Sequence, residues 1–544
     1  MEPDFEDYLR PLDFNAETAH QLARELCCTF KQLAAESSVQ FLATPVSESI
    51  LRPPKGSEMG SSIFVFPYFL FRCKNSHADP RYISGGTNLR VGFVELLGKE
   101  DSTSQPKPGL QNGNGHPVRL RRQLEKSWPI LDHLKNEHPD ELFSWIGKCI
   151  AEVIADGCQS FGLPRDVTLP LGVTFSFPMV QHTLSQAELM SMGKGFAITS
   201  KADLGSHLLK GYENWRGSER ELPLIRIVAI ANDAVSTLVS FVYQSQESQS
   251  RKAAMGLICG TGSNATIPLG QSMLHPSKLP KVEILNGHNP DEQRIAVNTE
   301  WSINGTAPAL RSLGLISKWD EQLDAAGEVP GFQPLEYMTA GRYLGELGRL
   351  ILLDYLNNQG FAGEALPTKL QQRFGLTTTF LSHFKPPNPS ALLEKLEVEF
   401  PVTDTNSGFA WTEDMAIKIY KIAKAIEVRA AGIVAAATVG LLACAGDIPL
   451  RESLEHESTE QNHPGANGSA ATLKDLVVGY TGGCIEHFQD YLMDCQGSLD
   501  DILRKEFGSE PPFRVTLSPC HDGGITGAGV LCGAAQAQYQ LTKA

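Results

Sequence analysis

The chain has no CxxC pair among its eleven cysteines, and its only adjacent cysteines are Cys27 and Cys28. That excludes the usual zinc-site spacings and the disulfide framework of a small secreted domain. It predicts a reducing compartment: the cytoplasm, with the nucleus and the mitochondrial surface left open. Positive charge is also scarce, with 47 Lys and Arg against 62 Asp and Glu and a net charge of −15. A chain so acidic gives no electrostatic reason to expect nucleic acid or an anionic membrane as partner. The opening stretch, "MEPDFEDYLRPLDF", lacks the basic and apolar regions of a signal peptide. The longest apolar run, "AAGIVAAATVGLLACAG" (430–446), is short of a membrane span and rich in Ala and Gly. It reads as a buried helix packed closely by its neighbours. No internal repeat of the solenoid kind is visible.

What is present is 544 residues, 42% of them hydrophobic, enough for two large domains with real cores. Apolar spacing at Leu22, Leu26, Phe30 and Leu33 predicts one or two helices over 14–44. Strand patterns then alternate with helical ones. "LPLGVTFSFP" (169–178), "LPLIRIVAIAND" (222–233), "AAMGLICGTGSNATI" (253–267) and "DLVVGYTGG" (475–483) are apolar runs ending in Gly, Pro, Asn or Asp. "SWIGKCIAEVIADG" (144–157), "AGRYLGELGRLILLDYL" (340–356) and "DMAIKIYKIAKAIEVRAA" (414–431) have helical spacing. Such strands place their terminal glycines and polar residues at the carboxyl ends of a sheet, where α/β folds bind ligands. Two polar, turn-rich stretches, 98–117 and 451–472, read as surface insertions.

Four glycine turns stand out: "SGGTN" (84–88), "CGTGSN" (259–264), "YTGG" (480–483) and "HDGGITGAG" (521–529). "RYIS" (81–84) reads as a strand running into the first of them. Glycine lets backbone N–H groups approach phosphate oxygens, and Thr or Ser adds a hydroxyl. Each alone is usually a structural turn; four at strand ends point to a nucleotide cradle. The candidates are Gly85, Gly86, Thr87, Asn88, Arg90, Gly260, Thr261, Gly262, Thr481, Gly482, Gly483 and Gly527. A second set is polar. Asp233, after Asn232 at the mouth of the strand "LIRIVAIA", is placed to take a proton from a substrate hydroxyl, although an Asp there more often caps the next helix. Ser176, Lys194, Asn264, Glu300 and Glu336 lie at other element ends and offer the donors and acceptors of a polyhydroxylated ligand.

Taken in order, "LGVTFSFP", "GKGF", "AND", "GTGSNA", "NTEW", "LEYMTAGRYLGELGRLIL" and "EVRAAGI" resemble the hexokinase family, over about residues 20 to 540. The resemblance implies an α/β fold of two actin-like (ribonuclease H-like) lobes with a sugar and ATP cleft between them. It divides the chain into 18–231, which includes the small lobe, and 232–540, the large lobe. It implies transfer of the γ-phosphoryl group of ATP, carried with Mg2+, to the 6-hydroxyl of a hexose. Ser176 and Lys194 would hold the sugar from one lobe and Asn232, Asn264, Glu300 and Glu336 from the other. Asp233 would be the base, with Lys194 beside it in the catalytic set.

The chain departs from the family pattern at several points. Ile83 falls where typical members carry the metal-associated carboxylate of "DLGGTN", so no protein ligand for magnesium is identified. Gly193 replaces a threonine of the sugar loop, and Thr481-Gly482-Gly483 replaces "DGT" or "DGS". "DGGITGAG" (522–529) stands for the adenosine-region "DGSGKGAA", and "EWSINGTAPAL" (300–310) alters the wall after Glu300. These changes resemble a divergent fungal branch that includes N-acetylglucosamine kinases, so the sugar expected is an N-acetylhexosamine or a hexose. Catalytically silent, sugar-sensing regulators of the same family are the alternative, and for them the two insertions would be candidate contacts with protein partners.

Overall fold

The computed structural model describes residues 5–48, 64–72, 88–96, 120–130, 134, 139–190, 203–217, 222–245, 248, 250–279, 294–385, 388–402, 408–450 and 473–543. Both insertions lie outside the described residues. So do "RYIS", Ile83, Gly85, Gly86, Thr87, Gly193 and Lys194.

Thirteen strands are described: β1 (Leu42–Ser47), β2 (Phe64–Arg72), β3 (Asn88–Leu96), β4 (Leu120–Pro129), β5 (Leu169–Phe175), β6 (Met179–Thr183), β7 (Gln186–Leu189), β8 (Ile225–Ala231), β9 (Arg251–Cys259), β10 (Ser263–Gly270), β11 (Arg294–Asn298), β12 (Lys474–Thr481) and β13 (Phe513–Pro519). β6 and β7 form a small hairpin, and the others form two sheets. One sheet has the order β4-β3-β2-β5-β8, the other β1-β11-β10-β9-β12-β13. Both are wound alike. β2-β3-β4 and β9-β10-β11 are antiparallel meanders, and β5-β8 and β12-β13 run parallel to the first strand of their meander on its other side. The same five-strand unit therefore occurs twice, with β1 added to the edge of the second. This is the two-lobed architecture expected from the sequence.

Residues 14–44 are one helix, Ala16–Glu36, followed by β1, and not two helices. Leu22, Leu26 and Phe30 are buried on it as their spacing predicts. It packs against the long helix Glu413–Cys444 in the core of the six-stranded sheet's lobe. That long helix unites the two segments read at 414–431 and 430–446. By length and composition it could cross a membrane, but most of its apolar window is buried inside the protein. The N-terminal helix and β1 thus join the core of the larger lobe, and the chain enters the smaller one only at β2.

The strand that precedes β3 and pairs with it is β2, with Arg72 opposite Asn88. The first glycine turn accordingly lies in the 73–87 connection of a hairpin that begins at Phe64. The helices Pro139–Phe161 and Leu204–Arg216 share a core with the five-stranded sheet, and the last helix, Gly523–Lys543, packs against β2, β3, β5 and β8. The helix Asp233–Gln244 lies between that last helix and β9.

One buried charge has a measurable consequence. Glu427 is fully buried, and its Oε2 receives Lys424 Nζ at 2.6 Å, an ammonium shared with Asp494 at 2.5 Å and Asp490 at 3.2 Å. With one cation among three carboxylates, the most deeply buried of them keeps its proton. Burial pushes Glu427 up from 4.5 to about 8, against the pull of Lys424. A folded-state value above the unfolded one means that folding takes up a proton. The contribution is complete below pH 4.5 and is lost as pH rises through about 8. Glu427→Gln is expected to flatten the fall of stability across that window, measured by denaturant unfolding at a series of pH values; an unchanged slope would contradict the assignment.

Candidate functional site

Two carboxylates and two amides meet where β10 begins and β11 ends. Thr266 pairs with Asn298 across the strands, which brings Asn264, two residues earlier, beside the end of β11. Asn264 Nδ2 donates to Asn298 Oδ1 at 2.9 Å and to Glu300 Oε1 at 3.3 Å, and Asn298 Nδ2 donates to the same Glu300 oxygen at 2.8 Å. Glu300 has φ +46°, the left-handed region, so the chain turns back on itself at this residue. The two residues after it point inward: Trp301 Nε1 donates to Ser263 Oγ at 3.1 Å, and Ser302 Oγ donates to Glu336 Oε2 at 3.3 Å. Glu336 is buried on the short helix Pro334–Thr339. Behind it, burial, with Asp324 and Glu336 adding, pushes the Tyr337 phenol up to about 12.

Asn264, Glu300 and Glu336 are therefore brought together as a polar cluster. Asn298 and Ser302 belong to it and are absent from the sequence-based candidates. The sequence signal for them is period: "VNTEW" places Asn298 two residues before Glu300, and "EWSI" places Ser302 two residues after it.

Asn232 and Asp233 follow β8, and Ser176 follows β5, its parallel neighbour, with Thr174 opposite Ala231. The helix cap is Asn232, whose Oδ1 accepts from Ala234 N at 2.8 Å while its Nδ2 donates to Phe177 O at 3.3 Å. This leaves Asp233 as the first helical residue, without a capping duty. Ser176 Oγ is buried without a hydrogen-bond partner among the described residues, an orphaned group of the kind a ligand hydroxyl would satisfy. The helix led by Asp233 packs against β9, β10 and β11, the strands that lead to Asn264 and Glu300.

The glycine turns converge on the same region from the other side. Gly260-Thr261-Gly262 closes the β9–β10 hairpin. Gly341 N donates to Gly260 O at 2.7 Å and Arg342 N to Thr261 O at 3.2 Å, which seats the start of the Gly341–Asn358 helix on the turn. Thr481 pairs with Ile258, and Gly482, at φ +136°, passes so close that a Cβ there would lie 2.3 Å from Cys259 O and 2.6 Å from Gly260 N. Only glycine permits this approach. Gly483 starts the next helix. A Cβ on Gly262 would lie 3.1 Å from Glu336 Oε2. The turn thus touches the polar cluster on one side and Gly482 on the other.

Two of the expected nucleotide contacts are placed differently. Gly527 does not lie in a turn; it lies inside the Gly523–Lys543 helix, where a Cβ would meet Ser236 O at 2.0 Å. Its missing side chain lets two helices touch. Arg90 on β3 donates to Asp522 Oδ1 at 2.8 Å and lies 3.9 Å from Glu125, while Arg122 reaches Asp522 Oδ2 at 3.0 Å. Arg90 is thus engaged by carboxylates in this structure. Asn88 begins β3, opposite Arg72 and Pro129.

Residues 254–534 match a family model described as hexokinase, and residues 83–243 match a second one of the same description. Hexokinase-7 of Oryza sativa subsp. japonica is 28% identical over 458 residues, 84% of either chain. Hexokinase-1 of Arabidopsis thaliana is 28% identical over 453 residues, 82% of this chain and 77% of its own. Among solved structures, the hexokinase from Schistosoma mansoni complexed with glucose superposes with a TM-score of 0.68 over 98% of both chains, at 22% identity.

Proposed function

Because the chain belongs to the hexokinase family, we propose that it transfers the γ-phosphoryl group of ATP to the 6-hydroxyl of a hexose or 2-acetamido-hexose. The observation that carries this reading is the contact of the Gly260–Gly262 turn with Glu336 on one side and Gly482 on the other. It joins a polar cluster suited to sugar hydroxyls to a backbone cradle suited to phosphates.

In this reading Asn232, Asn264, Glu300 and Glu336 hold the sugar from the large lobe, and Ser176 and Lys194 hold it from the small lobe. Asp233 takes the proton from the 6-hydroxyl as the oxygen attacks phosphorus. The phosphates lie along Gly85, Gly86 and Thr87 and along Gly260, Thr261, Gly262, Thr481, Gly482 and Gly483. The donors in these described turns are backbone N–H groups, which fit phosphate oxygens. No cluster of three His, Cys, Asp or Glu side chains able to hold a metal occurs among the described residues. Magnesium would be carried by the nucleotide's own phosphates and would neutralise their charge. The two domains are proposed to divide near 231/232, as the family pattern implies.

The specific sugar proposed is N-acetylglucosamine, on the strength of Gly193 and the altered stretch 300–310; the matched relatives carry the plain name hexokinase, so glucose is the competing substrate. A coupled ADP-release assay with N-acetylglucosamine, glucose, mannose and fructose decides between them. ADP release that is fastest with N-acetylglucosamine is the expected result, and a preference for glucose would correct the sugar alone. Sugar binding by calorimetry without ADP release from any of the four would establish the regulator reading, which Ile83 and Thr481 favour.

A further inference from the structure

Glu300 sits in a backbone conformation that L-residues adopt only under constraint, φ +46°. The constraint comes from a distant part of the chain. Gln40, 1% exposed, donates from Nε2 to Glu300 O at 3.0 Å and accepts at Oε1 from Gly305 N at 3.1 Å. One side chain therefore ties both ends of the 300–305 loop. The fit is close enough that a Cβ on Gly305 would lie 2.1 Å from Gln40 Oε1. Beside it, Phe41 N donates to Thr299 O at 3.0 Å, and Phe41 is itself left-handed, φ +52°.

The Gln40–Phe41 segment is held from behind by one cation. Lys278 Nζ donates to Gln40 O at 2.9 Å, Phe41 O at 3.0 Å and Ala34 O at 3.2 Å. All three ammonium donors go to main-chain carbonyls. A lysine used in this way fixes backbone, since three converging carbonyls would otherwise repel one another. The segment is also gripped by Ser37 Oγ, which accepts from Gln40 N at 3.1 Å.

We infer that Gln40 and Lys278 are positioning residues that set where the Glu300 carboxylate stands in the sugar cleft. The inference rests on the reading of Glu300 as a sugar contact. Neither residue touches the Asn264–Asn298–Glu300 amide network; they act through the backbone of the loop that carries Glu300.

The test compares Gln40→Glu, Lys278→Met and Lys278→Arg with the unaltered full chain. Gln40→Glu keeps the acceptor for Gly305 N and removes the donor to Glu300 O. Lys278→Met removes all three ammonium donors, and Lys278→Arg restores a cation. Gln40→Glu and Lys278→Met are expected to lower kcat/KM for the preferred sugar by about 10- to 100-fold, the scale of a misplacement of about 1 Å. KM for ATP should stay within about twofold, and discrimination between that sugar and its epimers should shrink by a similar factor. Lys278→Arg should recover most of the loss. Arg24→Met, which breaks the ion pair between the Ala16–Glu36 helix and Glu506, is the control for destabilisation alone and should leave epimer discrimination intact. Unchanged sugar parameters in folded Gln40→Glu and Lys278→Met would overturn the inference while leaving the kinase reading in place. If the unaltered chain releases no ADP, the kinase reading fails, and the same comparison is made on the sugar Kd by calorimetry. A Kd unchanged in both variants, or no sugar binding at all, then overturns the positioning role.

Discussion

Asp233→Ala is expected to lower kcat for sugar phosphorylation by about 10²- to 10⁴-fold, the usual worth of a positioned general base. Sugar affinity should change by less than about threefold, because a uniform binding contact is not what is removed. The structure makes this substitution unusually clean. The cap of the Asp233–Gln244 helix belongs to Asn232, and the bond that Asp233 gives its own helix, Thr237 Oγ1 to its carbonyl at 2.8 Å, is made by backbone that Ala retains. No side-chain hydrogen bond or ion pair of Asp233 occurs among the described residues. Thermal melting should therefore be nearly unchanged while turnover collapses, read by the coupled ADP assay and by calorimetric titration with sugar. A variant keeping more than about a tenth of the wild-type kcat would remove Asp233 from the role of base.

The second large effect is expected at the contact between the two described phosphate turns. Gly482→Ala forces a side chain into φ +136° and places its Cβ 2.3 Å from Cys259 O. Both the conformation and the contact are barred to alanine, so the ends of β9 and β12 must separate. The expected result is a fall of about 100-fold or more in kcat/KM for ATP, together with a lower melting temperature. Sugar affinity by calorimetry should change far less, since Asn264, Asn298 and Glu300 hold one another. Gly483→Ala is the neighbouring comparison. Its Cβ would meet only His487 Cδ2, at 3.9 Å, so the melting temperature should change little and the fall in kcat/KM for ATP should be much smaller than in Gly482→Ala. Equal behaviour of the two variants would show that the close approach at Gly482 does not matter to nucleotide use.

Much of this site was readable because its parts sit at strand and helix ends, and such ends are marked by local composition. Glu300, Glu336, Asn264 and the Gly260–Gly262 turn were all found in that way. What escaped depends on pairings that no local pattern carries. Gln40 meets Glu300 across 260 residues and Arg90 meets Asp522 across 432. Gly527 shows a different limit. A glycine that lets a helix touch another helix leaves the same mark in sequence as one that opens a turn, and only the packing against Ser236 separates them. The division of labour between Asn232 and Asp233 is a matter of one residue in a helix start, below the resolution of any pattern argument. The duplicated winding of the two sheets also has no counterpart as a sequence repeat. What is repeated is hydrogen-bond order, and different apolar residues satisfy it equally well.

The last helix, Gly523–Lys543, lies on β2, β3, β5 and β8, strands whose residues come some 300 to 450 positions earlier in the chain. During synthesis one face of the small-lobe sheet therefore stays bare until that helix has been made. Contacts of such sequence separation are slow to form, and a bare sheet face is what a nascent chain exposes to aggregation. The lobe that is translated early is thus completed late, and it depends on shielding throughout the interval.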